Sequence, residues 1–408
     1  MRGAISRTFC RFRGVGIGLI VLFGVTLIGY WRWRESPSRR FQAAWSAVLR
    51  NDLTTVRSEL DFFRRSPQQQ PERRVLEAAL LLRAKRYDDA LNLLSKTQPQ
   101  GEIRWALFQV VGESLYWKHQ TADSERLFHI LANERPEDAA PHSWLGSIYY
   151  DMGHIGAART ELRRAIELDS TDARPHRLLS MIESSSENYP LAIHHYREAL
   201  RLSSGQPNCE FVEELGILLI KVQDFAEARE VVLRIQPPTA TSLALLGECE
   251  WNLGRKERAA KFVANALQLD PTHIRAGLLK ADWAVEAKQP LDAIQLLKRV
   301  LQVFPYESPA WYQLARAYQM LGSREQAEEA MKAFEESQAL HQRFGVLQSK
   351  VGADPEDIAA REQMVELALK LGKPDVAEFW QRAAIAWRDR ARNLSEQAVQ
   401  APEEMPKR

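Results

Sequence analysis

Cysteine is scarce. Three in 408 residues exclude a scaffold built on disulfides. Glycine (20) and proline (19) are too few for a collagen-like or linker-dominated chain. A surplus of either charge is also missing. Lys and Arg number 55 against 53 Asp and Glu, so the net charge of +2 excludes a strongly basic nucleic-acid binder and a polyacidic tail. The usual signatures of chemistry are absent as well. The nine His include no HExxH and no close ligand set, and His194 and His195 point to different sides of a helix. There is no CxxC pair, no P-loop, no GxSxG and no GxGxxG. No catalytic residue, metal ligand or cofactor is therefore assigned, and no small-molecule substrate is evident. Cys209 and Cys249 read as small core residues, at heights on their helices too different for an easy disulfide. What remains is an ordinary foldable chain, 45% apolar and 26% charged.

One long hydrophobic run stands out. Residues 14–31 read GVGIGLIVLFGVTLIGYW, 18 without a charge, which is the lower limit for a spanning helix. Aromatic rings stand at both ends (Phe9, Phe12, Tyr30, Trp31, Trp33), and Arg11, Arg13, Arg32 and Arg34 bracket the run. The bulky residues after it speak against a cleaved signal peptide. The reading is a basic tail over 1–13 and an uncleaved transmembrane anchor over 14–33, hence a single-pass membrane protein. Four Arg on each side leave the orientation undecided by charge. The short amino-terminal tail favours an extracytoplasmic body, periplasmic in a bacterium. Removing residues 1–34 leaves 49 basic against 53 acidic residues, so the body gives no reason to expect nucleic acid.

The rest of the chain repeats itself. The clearest unit, residues 139–172, has Leu145, Gly146, Tyr149, Gly153, Ala158, Leu162 and Ala165 at positions 7, 8, 11, 15, 20, 24 and 27. Unit starts at 37, 71, 105, 139 and 173 are each 34 apart, and further starts follow at 209, 240, 274, 308 and 358. From the unit at 71 onward, position 20 reads Ala90, Ser124, Ala158, Ala192, Ala228, Ala259, Ala293, Ala327 and Ala377. A size limit at a helix–helix contact explains that run, because a large side chain there would push two helices apart. Position 24 carries the knob between them (Leu94, Phe128, Leu162, Tyr196, Val232, Val263, Leu297, Met331). Gly153, Gly254, Gly322 and Gly372 fall at position 15, the turn inside a unit.

These residues resemble the tetratricopeptide repeat (TPR) family, whose pattern runs W-x2-L-G-x2-Y, then A-x3-F, A and P. His142 stands at the Trp position of the unit at 139. The unit at 308 fits best, with Trp311, Leu314, Tyr318, Gly322 and Ala327 in register. The resemblance implies an all-α fold, a right-handed superhelix of helix-turn-helix repeats preceded by the one transmembrane helix. The expected organisation is a TPR array of about nine repeats over 37–341 and an insertion over 342–357. A TPR-like helix pair over 358–391 and a polar tail over 392–408 follow.

In the family, the first helix of each repeat lines a concave groove, with contacts from positions 2, 5, 9 and 12. Carried onto this chain, those positions include Gln109, Glu113, Tyr116, Ser143, Ser147, Tyr150, Arg174, Arg177, Glu213, Glu248, Trp251, Asp282, Tyr312 and Arg316. Aromatics mixed with both charge signs suit an extended peptide or a partner helix. The Lys/Asn clamp with which some members grip a terminal carboxylate is absent, since Ser143 and Ser147 stand at its places. The functional expectation is a membrane-tethered scaffold or adaptor that binds a partner protein through its groove. The alternatives are a periplasmic assembly factor or client holder, and a non-catalytic accessory subunit of a membrane enzyme or secretion complex.

Overall fold

The computed structural model describes residues 36–65, 67–98, 101–203 and 209–400. Among them every regular element is helical and no strand occurs. The described chain divides into two compact units, one ending at Leu127 and one beginning at Phe128.

The first unit holds three antiparallel pairs: α1 (Pro37–Leu49) with α2 (Leu53–Arg64), α3 (Gln70–Arg83) with α4 (Tyr87–Leu94), and α5 (Gly101–Trp117) with the start of α6 (Thr121–Glu134). Its core is continuous from Phe41 and Phe63 through Leu76 and Leu82 to Val110. The second unit begins within α6. It continues with α7 (Ala139–Asp151) and α8 (Ile155–Leu168), α9 (Ala173–Ser185) and α10 (Tyr189–Leu202), and α11 (Cys209–Lys221) and α12 (Phe225–Val232). Next come α13 (Ala240–Asn252) and α14 (Lys256–Leu269), α15 (Ile274–Glu286) and α16 (Pro290–Val303), and α17 (Ser308–Met320) and α18 (Arg324–Ala353). The last pair is α19 (Ile358–Lys370) and α20 (Pro374–Gln400). Within each unit successive pairs pack on one another, and in the second unit the first helices α11, α13, α15 and α17 also touch in succession, as stacked repeats require.

Three recurring features build each pair. The first is the small residue at position 20: from Ala90 to Ala377 none is more than 5% exposed. The second is a knob seated on a glycine. A Cβ placed on Gly146, Gly216 or Gly247 would stand 2.5 Å from the side chain of Leu162, Val232 or Val263 respectively. Glycine at position 8 thus lets the two helices of a pair close on the position-24 knob. The third is the turn at position 15. It takes the left-handed conformation in every unit, at Asn51, Lys85, His119, Gly153, Glu187, Gln223, Gly254, Lys288, Gly322 and Gly372, with φ from 58° to 80°. Side-chain caps then start many helices: Asp138, Asp172, Asp224, Thr239 and Asp357 each accept a backbone amide of the first turn.

Helix α18 runs unbroken for 30 residues. Its first half pairs with α17. Its second half (Leu340, Phe344, Leu347, Val351) packs with Met364 and Leu367 of α19 and Trp380 and Ala383 of α20. Residues 342–353 prolong the helix by about 18 Å at 1.5 Å per residue. The last pair is thereby carried to the other end of the second unit, where α20 meets α7. There the Met152 carbonyl accepts from both Arg361 Nη2 (3.1 Å) and Trp387 Nε1 (2.8 Å).

The membrane expectation needs correcting. Among the described residues no helix is long and apolar enough to cross a membrane, so the single-pass membrane placement finds no support there. The physical reason lies in the pattern: apolar residues are spent one stripe at a time on the stacked core and alternate with charged faces. The anchor assigned to 14–33, and the basic tail before it, lie outside the described residues. A smaller correction concerns cysteine: Cys249 is a core residue, but Cys209 is exposed. Burial pushes the Cys249 thiol up to about 12, so it stays protonated and inert.

Candidate protein-binding site

The residues proposed for the groove fall into three groups. In the first unit, Gln109 and Glu113 of α5 are buried. Gln109 Nε2 donates to Glu113 Oε1 at 3.1 Å, and Arg83 Nη1 of α3 donates to Glu113 Oε2 at 3.0 Å. This polar bridge joins α3 to α5. Tyr116 is half-buried and stands edge-on to Trp117, ring centroids 5.1 Å apart.

In the second unit, the residues on α7, α9 and α11 are largely engaged by the protein itself. Ser143 is buried, and its hydroxyl has no hydrogen-bond partner. Ser147 Oγ donates to the Ser143 carbonyl at 3.0 Å. Tyr150 lies against Phe379 of α20 at 5.5 Å between centroids, and burial pushes its hydroxyl up to about 12. Arg174 pairs with Asp172 at 2.9 Å and lies over the Trp144 ring at 5.1 Å. Arg177 lies over the Phe211 ring at 6.0 Å. Glu213 is buried and accepts the Thr239 hydroxyl.

The third group comes together on α13, α15 and α17. Glu248 pairs with Arg275 at 2.6 Å, and Asp282 with Arg316 at 3.3 Å. Trp251 stacks on Trp283 at 4.2 Å and 14° between planes, with Lys256 Nζ 4.6 Å from the Trp251 ring centroid. Tyr312 is 45% exposed and tilts against Phe334 at 5.6 Å. The opposite charges on adjacent helices pair with one another, and half-exposed aromatics stand beside them.

At the amino ends of the same helices is an open cleft of about 600 Å³. Thr241, Glu248 and Arg275 contribute from groove positions 2 and 9, and Leu278 from position 5; Phe304, Glu307 and His273 come from the loops between repeats. His273 Nδ1 accepts the Ala276 amide at 3.3 Å, so Nε2 carries the proton and donates to Thr241 Oγ1 at 3.2 Å. Burial lowers the His273 pKa and keeps the ring neutral. From Thr241 to Trp251 is about 15 Å along α13, enough for four or five residues of an extended peptide, at roughly 3.3 Å each.

Sequence reasoning missed the cleft. Leu278 stands at groove position 5, but an aliphatic residue there looks like any core leucine in the sequence. Trp283, at position 10, stands outside the groove positions yet supplies half of the aromatic stack. Phe304 and Glu307 carry no periodic signal at all, since they belong to a connecting turn. Among the described residues no group of three or more His, Cys, Asp or Glu is arranged to hold a metal ion.

Comparison with known proteins agrees with the repeat. Residues 145–207, 213–274 and 284–344 match the tetratricopeptide repeat. These matches identify the repeats between residues 145 and 344 as tetratricopeptide repeats. The tetratricopeptide repeat-containing protein trd-1 of Caenorhabditis elegans is 28% identical over 172 residues, 41% of this chain. The match spans only 21% of that worm protein's length. The type IV pilus assembly protein PilF of Pseudomonas aeruginosa is 23% identical over 172 residues, 40% of this chain and 68% of PilF. Among solved structures, PilF aligns at 21% identity and a TM-score of 0.39, covering 50% of this chain and 99% of that one. YrrB, described as a TPR protein with an unusual peptide-binding site, aligns at 22% identity and a TM-score of 0.38, covering 45% and 95%.

Proposed function

We propose that this protein is a non-catalytic scaffold whose second unit binds a partner polypeptide along α13, α15 and α17. The observation that carries the reading is that the stacked Trp251–Trp283 pair and the apolar-floored cleft share helices α13 and α15. Large, rigid, half-exposed rings beside a pocket are the usual anchors of polypeptide recognition. Most groove residues on α5, α7 and α11 are engaged inside the fold, while Arg174 and Arg177 of α9 stay exposed over the Trp144 and Phe211 rings; this favours the later repeats for binding.

The test is a double substitution, Trp251→Ala with Tyr312→Ala, in the full chain. Partner proteins recovered with the wild-type chain by crosslinking should be lost from the variant, while its helical circular dichroism and melting curve stay close to wild type. Undiminished recovery by a folded double variant would remove the groove from the mechanism.

A second reading is an assembly factor that holds a client of a larger machine. The similarity to PilF, a type IV pilus assembly protein, favours it. It differs in kinetics: client contacts should exchange within seconds, whereas a scaffold complex should survive gel filtration as a stoichiometric species.

A further inference from the structure

The cleft at the amino ends of α13, α15 and α17 has one charge left without an answer. Glu248 is neutralised by Arg275 at 2.6 Å. Asp270 accepts the Thr272 amide and hydroxyl at 2.9 and 2.8 Å. His273 is held neutral by burial, and both its ring nitrogens are hydrogen-bonded. Glu307 differs. It occupies the N-cap position of α17, yet its side chain caps no amide. Its carboxylate makes no hydrogen bond or ion pair among the described residues, although it lines the cleft beside Leu278 and Phe304. Burial pushes its pKa up from the ordinary carboxylate range, with Lys373 and His341 opposing that shift from a distance. A half-buried carboxylate without a partner carries a desolvation cost that an incoming cation offsets.

Resting on the groove reading above, we propose that this cleft receives a basic side chain next to an apolar one from a partner polypeptide. Glu307 is the charge partner and Leu278 with Phe304 the apolar floor. The volume, about 600 Å³, exceeds what one side chain fills, and the wall divides into a carboxylate and a hydrocarbon part. An acidic segment is disfavoured, because in the lining Glu307, Asp270 and Glu248 outnumber Arg275, with Lys373 and His341 acting on Glu307 from outside it. A purely apolar segment would seal Glu307 away from water with no partner.

The experiment uses the full chain and a displayed library of random ten-residue peptides. Selection on wild type should enrich peptides with Lys or Arg adjacent to Leu, Ile, Met or Phe. Those peptides should bind Glu307→Gln about tenfold more weakly, a change of about 1.4 kcal/mol. They should bind Glu328→Gln, an exposed control on α18, with unchanged affinity. Glu307→Lys should shift the enrichment toward acidic peptides. Equal binding to wild type and Glu307→Gln overturns the inference, as does enrichment of acidic or uncharged peptides. A third variant, Leu278→Gln, separates the two readings. If it abolishes binding while Glu307→Gln does not, the groove stands and the charge partner falls. If neither variant matters, or if no peptide is enriched, both fall.

Discussion

Arg361 Nη2 donates to the Met152 carbonyl at 3.1 Å, across 209 residues of sequence. Arg361 is wholly buried and makes no direct ion pair among the described residues, although the Asp357 and Asp354 carboxylates act on it through space. Nη1 donates to the Asp357 carbonyl at 3.0 Å, Nε has no partner, and the guanidinium lies 5.4 Å from the Trp387 ring centroid. Burial pushes its pKa down to about 10. The indole of Trp387 donates to the same Met152 oxygen, and Trp380 packs on Gly153, where an added Cβ would meet it at 3.0 Å. The last helix pair is thus fastened to the α7–α8 turn by two donors on one carbonyl, and Phe379 covers Tyr150.

This arrangement separates the charge of Arg361 from its bulk. Arg361→Ala should destabilise the second unit by about 2–4 kcal/mol, since it removes two charge-assisted hydrogen bonds and leaves a cavity. Arg361→Met should cost distinctly less, because an apolar side chain of similar length fills the space without a desolvated charge. Urea unfolding of both variants decides it. A Met variant as unstable as the Ala variant would show that the hydrogen bonds to Met152 and Asp357, not the packing, hold the pair in place.

Acid should loosen the repeat at residue 173. His176 and His195 face each other in its core, Nδ1 to Nδ1 at 3.0 Å, so one ring must donate and the other accept. Burial lowers both pKa values from 6.5, that of His195 to about 4, and Glu183 and Glu198 only partly oppose this. The unfolded chain therefore takes up protons first as the pH falls. The contribution is fully present above pH 6.5 and is lost between 6.5 and about 4, on the order of 2–3 kcal/mol. His195→Gln should flatten that part of the curve relative to wild type. Parallel stability–pH curves would mean that His195 is protonated in the folded state.

The helical repeat is legible in the sequence because the size limit at position 20 leaves one small residue in every unit from residue 71 onward, and all of them are buried. The glycine turns are legible for the same reason at Gly153, Gly254, Gly322 and Gly372. Their six non-glycine counterparts are not, since Lys288 or Glu187 shows no outward sign of a positive φ. The site is less legible. A position in a repeat states which way a side chain points but not what meets it. Nothing in Glu113 announces Arg83, and nothing in Tyr150 announces Phe379. Contacts between distant repeats depend on where a 30-residue helix delivers the pair that follows it.

The left-handed turns offer a stabilising substitution. Lys288 has φ 59° at the close of α15, a conformation in which its Cβ crowds the backbone. Glycine adopts it freely. Lys288→Gly should raise stability by about 0.5–1 kcal/mol despite the greater entropy of an unfolded glycine. A thermal melt that moves upward supports this; one that moves downward means the Lys288 side chain contributes packing that outweighs the strain.

The small residue at position 20 can be tested where its surroundings are most complete. Ala293 on α16 is fully buried within the cluster of Val285, Leu297, Val300 and Leu314, while Leu291, two residues away, is 63% exposed. Helix–helix contact leaves no room at Ala293 for three more carbons, so Ala293→Leu should force α15 and α16 apart. The expected loss is about 1–3 kcal/mol. Leu291→Ala, on the same helix, should change stability by no more than roughly 0.5 kcal/mol, which controls for helix propensity and for the effect of mutating α16 at all. The two variants must therefore separate in a denaturant titration. Coincident curves would mean that position 20 is small for a reason other than close packing, and the repeat would then need a different physical account.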